Sequence, residues 1–302
     1  MTALQVRRVR FDLDGDVPFV WNPANPAFAV QMNAVSIIAI AFEKFIVAAV
    51  REALPAITDA AVAAEADAFL RQEAQHASCH RHHVRALVRS YPGLQQTVDA
   101  AVARFDALTA GRSLAYRLAY IADLEATFTP MFKLFLDNEQ ALFGAGDERV
   151  GSLFLWHFVE EIEHRSSGLI VYHAVVGSRW YRVQQLPSVV FHLNRVLHLI
   201  IDGFNAHVPL ADRQIDARLM LPSYGRRQLT QRVLRSRATS VAAPYSDVPR
   251  RDIVAAVRNL ARTQTPGHDP ADQPLPAFAD RWFAQYANGA DIAHWYSAAQ
   301  VG

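Results

Sequence analysis

Six side chains in this sequence have the types and spacing of a metal centre. Glu43 is followed by Glu73-x-x-His76, and Glu125 is followed by Glu161-x-x-His164. Four carboxylates and two imidazoles delivered by four helices are the donor set of a carboxylate-bridged dinuclear site. A lone Glu-x-x-His recurs by chance in a chain this long, but two copies, each preceded by a lone glutamate, do not. Four carboxylates neutralise two divalent ions, and neutral imidazoles add coordination without charge. Oxygen and nitrogen donors without a thiolate suit two iron ions, with manganese or zinc as alternatives.

The neighbours of these residues decide whether they face inward. Glu43 has Ala39, Ile40, Ile46 and Val47 one helical turn away, and Glu125 has Ile121, Ala122, Phe128 and Thr129. A carboxylate on such a stripe points at the core, where an unpaired charge costs several kcal/mol. Bound cations are the simplest partner; the bland alternative for Glu43 is that it tilts outward beside Lys44. Residues three or four apart share a helix face, so Glu73 and His76 can reach one point. His80 continues that stripe, and His157 stands four residues before Glu161. These two histidines are further candidates, as ligands, as partners of ligands, or as core residues bonded to backbone. His82 and His83 fall off the stripe and read as surface residues. Glu160 and Glu163 read as rotated away, as charges on the helix surface. Cys79 reads as packing, and Asp123 and Tyr172 as candidate partners of ligands.

The elements that must carry these groups are helices. Residues 1–27 form an irregular arm broken by Pro18, Pro23 and Pro26. Helical periodicity then runs over about 28–54, 59–90, a connector to 108, 113–137, 147–176 and 186–204. Alternating β-branched runs and hairpin turn signals are nearly absent, so the chain reads as all-α. The expected fold is a ferritin-like four-helix bundle (28–205) with additional helices, built as a single domain over 1–302. A helical and irregular C-terminal extension (206–302) wraps the bundle. The extension is dense in arginine (Arg213, Arg218, Arg226, Arg227, Arg232, Arg235, Arg237), which reads as a solvated, salt-bridged helix face.

Composition narrows the partners. A formal net charge of +1 over 302 residues points away from nucleic acid. The lone Cys79 excludes an intramolecular disulfide and fits a reducing compartment. No signal-like stretch follows the basic N-terminus. The longest apolar runs, 27–42 and 189–204, carry polar residues and fall short of a membrane span of roughly 20 residues. The expectation is a cytoplasmic protein without a transmembrane segment; a free helix face would allow a homodimer.

The segments Gln72-Glu73-Ala74-x-His76 and Trp156-His157-x-x-Glu160-Glu161-Ile162-Glu163-His164 resemble those of the bacterial predicted metal-dependent hydrolases, as do "VRRVRFD…VPFVWNP" and "FEKFIVAAVREALP". The resemblance spans about residues 5–205, and that group looks like a branch of the ferritin-like di-iron superfamily. The His157-x3-Glu161-x2-His164 triplet is also similar to that of the di-iron arylamine N-oxygenases, whose site carries an additional histidine. The resemblance implies a metal-bound bundle with Glu43, Glu73, His76, Glu125, Glu161 and His164 as ligands.

Three functions fit this reading. A di-iron oxygenase or oxidase would use O2 to oxidise a small apolar or aromatic substrate near Phe128, Phe132 and Phe154. It would take electrons from an external donor, because no dinucleotide fingerprint or cysteine cluster is present. A dinuclear hydrolase would activate water between two metals. A non-catalytic bundle would bind metal only.

Overall fold

The computed structural model describes residues 4–220 and 244–294. Every regular element among them is a helix. The first long helix, α1 (Pro26–Ala53), begins on a proline where the arm was expected to continue. Pro26 lacks only an N–H that the first turn cannot use, and Asn25 caps the end by accepting from the Phe28 N–H. A short 3-10 turn, Leu54–Ala56, holds Pro55 and reverses the chain. Asp59 then caps α2 (Ala60–Ser90) by accepting from the Ala61 and Val62 N–H groups.

The connector is a full helix, α3 (Leu94–Gly111). Ser113 caps α4 (Leu114–Asp137), and α5 (Glu139–Phe143) is a single turn. Asp147 caps α6 (Glu148–Glu163). The helix expected over 147–176 is in fact two: α6 stops at Glu163 and α7 (Ser167–Val175) starts after a break. Arg165, Ser166 and Ser167 supply it. Ser167 gives its hydroxyl to Glu65 rather than to its own helix, and its N–H bonds the His164 carbonyl. The break lays Gly168 directly against Glu125, where a Cβ would lie 3.0 Å from the glutamate Cγ.

Helix α8 (Arg179–His207) is longer than its apolar stretch suggested and carries Pro187 within it. A one-turn α9 (Leu210–Arg213) follows. Two further helices of the extension are described, α10 (Arg250–Thr263) and α11 (Ala277–Ala287). Arg226, Arg227, Arg232, Arg235 and Arg237 lie outside the described residues.

The hairpin of α1 with α2 packs against the hairpin of α4 with α6 and α7, while α3 and α8 cover the outside. From the extension, α10 lies on α4, and α11 lies across α4 and α6. Helix α1 has the length and apolar composition of a membrane span, yet most of it is covered by its neighbours and Glu43 faces inward. Aromatic rings fill the end near residue 28: Trp21 stacks on Phe143 and Phe154, and Phe28 meets Phe135 edge-on. At the α10 end, Arg182 is fully buried, donating to Asp123 at 2.8 Å and to the Thr265 carbonyl. That pair ties α8, α4 and the segment after α10 together. It answers for Asp123, which the sequence had left as a candidate partner of the metal ligands; Tyr172 likewise donates to the Ser178 carbonyl.

Candidate metal centre

All six glutamates and histidines of the paired motif converge inside the bundle, and His157 joins them. None of the seven is more than 5 % exposed. Their donor atoms form two groups, each close enough to hold one cation. The first comprises Glu43, His76, His157 and Glu161; the second comprises Glu73, Glu125, Glu161 and His164. Glu161 belongs to both. Its Oε1 lies 2.9 Å from His157 Nε2 and 3.4 Å from His76 Nδ1, and its Oε2 lies 3.4 Å from His164 Nε2. Glu73, a member of the second group, also leans toward the first, with Oε1 3.1 Å from His164 Nε2 and Oε2 4.0 Å from His76 Nδ1. Glu161 therefore stands between the groups, Glu73 reaches from the second toward the first, and Glu43 and Glu125 stand at the ends. The first Glu-x-x-His does not aim both of its members at one point, as its spacing suggested. It sends His76 to one group and Glu73 mainly to the other.

These atoms are close but poorly paired with each other. Both Glu73 oxygens, Glu43 Oε2, His76 Nδ1 and His164 Nε2 are buried and lack a hydrogen bond among the described residues. Three carboxylate oxygens surround His164 Nε2 at 3.1–3.7 Å without the alignment of a hydrogen bond. Buried polar atoms are rarely left so. Lone pairs turned toward one space, from oxygen and imidazole nitrogen alone, fit a pair of divalent cations.

The far side of each imidazole carries a partner that fixes the tautomer. His76 Nε2 lies 2.9 Å from Glu160 Oε2, a group that only accepts, so Nε2 carries the hydrogen and Nδ1 is free for a metal. His164 Nδ1 lies 3.0 Å from Gln72 Oε1. The Gln72 amide nitrogen donates to the Gln5 carbonyl and to Glu163 Oε2, which leaves its oxygen to accept from His164. Such partners orient a ligand and raise its basicity.

Glu160 and Glu163 are thus not the surface charges their sequence position suggested. Glu160 is buried, and both accept from Arg7, at 2.9 and 2.8 Å. Arg7 comes from the N-terminal arm and sits against the rings of Trp282, Phe283 and Tyr286 of α11. A helical wheel of α6 alone turns Glu160 away from the metal stripe; the arm supplies the cation that makes its burial tolerable. The arm's VRRVR run contained the signal, but nothing in its spacing tied Arg7 to α6.

His80 and His83 also differ from expectation. His80 lies outside both donor groups, with Nε2 2.8 Å from His157 Nδ1. His83 is fully buried rather than superficial. Cys79 is buried with its Sγ near the Val9 carbonyl, and burial pushes its thiol up to about 12, so it packs as expected.

Electrostatics show what the cluster lacks without cations. Burial pushes Glu43 up to about 7, against the pull of His157. Burial, with Glu161 and Glu73 beside it, raises Glu125 well above the usual range. Burial disfavours charge on His76, but the hydrogen bond it donates to Glu160 and the nearby Glu161 and Glu73 carboxylates outweigh it and raise the imidazole to about 10. Without bound cations, protons stand in for metal charge in this cluster.

Fold and site together define an all-α protein with a buried carboxylate–imidazole cluster able to hold metal ions. The chain belongs to the family described as predicted metal-dependent hydrolase, whose model matches residues 5–270. The match extends past the expected limit near residue 205 and includes α10. No curated protein and no solved structure matches the chain.

Proposed function

We propose that this chain is a dinuclear non-haem iron enzyme of the oxygenase or oxidase kind, acting on a small apolar or aromatic substrate. The carrying observation is the donor set: four buried carboxylates, one of them, Glu161, shared by two groups, with three imidazoles and no thiolate. Glu43, His76 and His157 would hold one ion, Glu125 and His164 the other, with Glu161 and Glu73 between them. Two iron ions held there would supply two-electron chemistry with O2, using electrons from a donor outside the chain. The protein's own part is positional. Glu160 and Gln72 hold the far N–H groups of His76 and His164. Phe132, 6.0 Å from His157 and stacked on Phe158, helps keep bulk water out. Phe128, packed on Phe132 and Phe42, continues the apolar wall. Phe154 lies tilted against His80, 5.4 Å between ring centres, and belongs to the far side of the cluster.

The family's description favours a second reading, a dinuclear hydrolase. Two metals also activate water and clamp a leaving group. Against it stands the burial of the donors, which suits a reactant as small as O2 better than a bulky ester. One experiment separates the readings. The metal-free protein is loaded anaerobically with ferrous iron and exposed to O2, while a zinc-loaded sample is given model esters and phosphodiesters. O2-dependent near-ultraviolet and visible absorption that is altered by small aromatic additives supports the oxygenase. Turnover by the zinc form, with an inert iron form, supports the hydrolase. Iron oxidation indifferent to every organic additive would leave a metal-binding bundle.

A further inference from the structure

Behind His157 runs a line of buried groups that the proposed chemistry does not use. His157 Nδ1 lies 2.8 Å from His80 Nε2, His80 Nδ1 lies 2.9 Å from Ser36 Oγ, and Ser36 Oγ lies 2.8 Å from His83 Nδ1. Ser36, His80 and His83 are each fully buried. The far nitrogen, His83 Nε2, is buried and has no hydrogen-bond partner among the described residues. His83 stays neutral near pH 7, because burial drives its pKa down to about 4.

Counting hydrogens leaves few arrangements. Ser36 is fully buried and its hydroxyl meets no acceptor among the described residues other than these two imidazole nitrogens, so it donates to one ring and accepts from the other. Each neutral ring likewise carries one N–H. The whole line must then run in a single direction, either toward His157 or away from it. A cation on His157 Nε2 decides which. It takes the lone pair there and puts the hydrogen on Nδ1, which donates to His80 Nε2. His80 must then donate from Nδ1 to Ser36, Ser36 must donate to His83 Nδ1, and His83 must carry its hydrogen on Nε2.

We propose that His80, Ser36 and His83 are positioning residues for the first metal group, a one-way donor line that holds His157 with Nε2 free for the cation. This rests on the reading that His157 is a ligand. The line also makes the two groups unequal. His76 and His164 are backed by Glu160 and by the Gln72 amide, which are tied to Arg7 and Glu163, whereas His157 is backed only by neutral groups.

The test uses the full chain with histidine labelled in 15N, loaded with Zn(II). Multiple-bond 1H–15N spectra report which ring nitrogen carries the hydrogen. The expected result is an Nδ1–H tautomer for His80 and an Nε2–H tautomer for His83. The opposite tautomers, with His157 Nε2 shifted by zinc, would overturn the donor line and leave the metal reading intact. Zinc that leaves His157 unchanged would overturn both. Stepwise zinc titration adds a readout that mere packing would not give. Ser36→Ala and His83→Leu should weaken one of the two zinc sites by about 10-fold and spare the other. His83→Asn, whose side-chain oxygen can accept from Ser36 in place of Nδ1, should restore it. Equal weakening of both sites, or no rescue by asparagine, would count against the proposal.

Discussion

His76 places its Nε2 2.9 Å from Glu160 Oε2, so its Nδ1 turns toward Glu161 and Glu73. Which nitrogen this histidine offers to the cluster is thus chosen by a glutamate on another helix. Glu160→Ala should lower metal affinity by about 10–100-fold, the range for losing such a partner. Glu160→Gln, whose amide oxygen can still accept, should lose less. Zinc competition against a chromophoric chelator measures both, and an affinity unchanged in the alanine variant would refute the assignment.

Glu161 stands in both donor groups, so its removal should not act on one site alone. Glu161→Ala is expected to abolish binding of one metal and weaken the other, with activity falling alongside. Elemental analysis after gel filtration gives the stoichiometry. Two tightly held metals in that variant would contradict the shared role.

Metal affinity should rise with pH. In the metal-free protein His76 holds a proton up to about 10, and Glu43 holds one below about 7. A cation must expel both, so binding releases protons and is favoured as they become scarcer. Between pH 6 and 8 the release should fall from about two protons toward about one at these two residues, as Glu43 ionises by itself. Calorimetry in buffers of different ionisation enthalpy reads the total release, in which the fall across this range is the part that follows Glu43. Affinity that falls as pH rises would reverse the assignment.

Gly168 packs so close to Glu125 that an alanine Cβ would meet Glu125 Cγ at 3.0 Å and Ile121 Cγ2 at 3.3 Å. Gly168→Ala should displace Glu125 and weaken the group of Glu73, Glu125, Glu161 and His164. The group built on Glu43 should be little affected. Stepwise Co(II) spectra, in which two ions load in sequence, distinguish a selective loss from a general one.

Asp123 and Arg182 form a buried pair whose members differ in how they tolerate solitude. Burial already pushes Asp123 up to about 7 despite Arg182, so it can take a proton when left alone. An arginine cannot shed its charge. Asp123→Ala should therefore cost about 3–5 kcal/mol, the range for stranding a buried charge, and more than Arg182→Met. Urea denaturation of the metal-free proteins tests the order.

The helices and the converging donors were legible because they are local. Glu43 and Glu125 stood out as acids on apolar stripes, and the second motif kept its i, i+3 geometry to the end of α6. What sequence periodicity could not supply was contact between distant segments. Glu160 and His83 both lie off the metal stripe, and each became buried because a group from elsewhere met it: Arg7 in one case, Ser36 in the other. The break after His164 was hidden for a similar reason. Ser167 leaves its helix for Glu65, which lies about a hundred residues earlier in the chain. The start of α1 at Pro26 was misread because proline's effect depends on position: it disrupts a helix interior but is accommodated in the first turn.

Arg7 and its three aromatic neighbours bring almost the two ends of the described chain together beside Glu160, the partner of His76. During synthesis, the ribosome releases Trp282, Phe283 and Tyr286 long after the bundle helices have emerged. A nascent chain can thus assemble the bundle while Arg7 still lacks its aromatic seat. The seat of Arg7, and with it the support behind Glu160, is complete only when translation has passed α11.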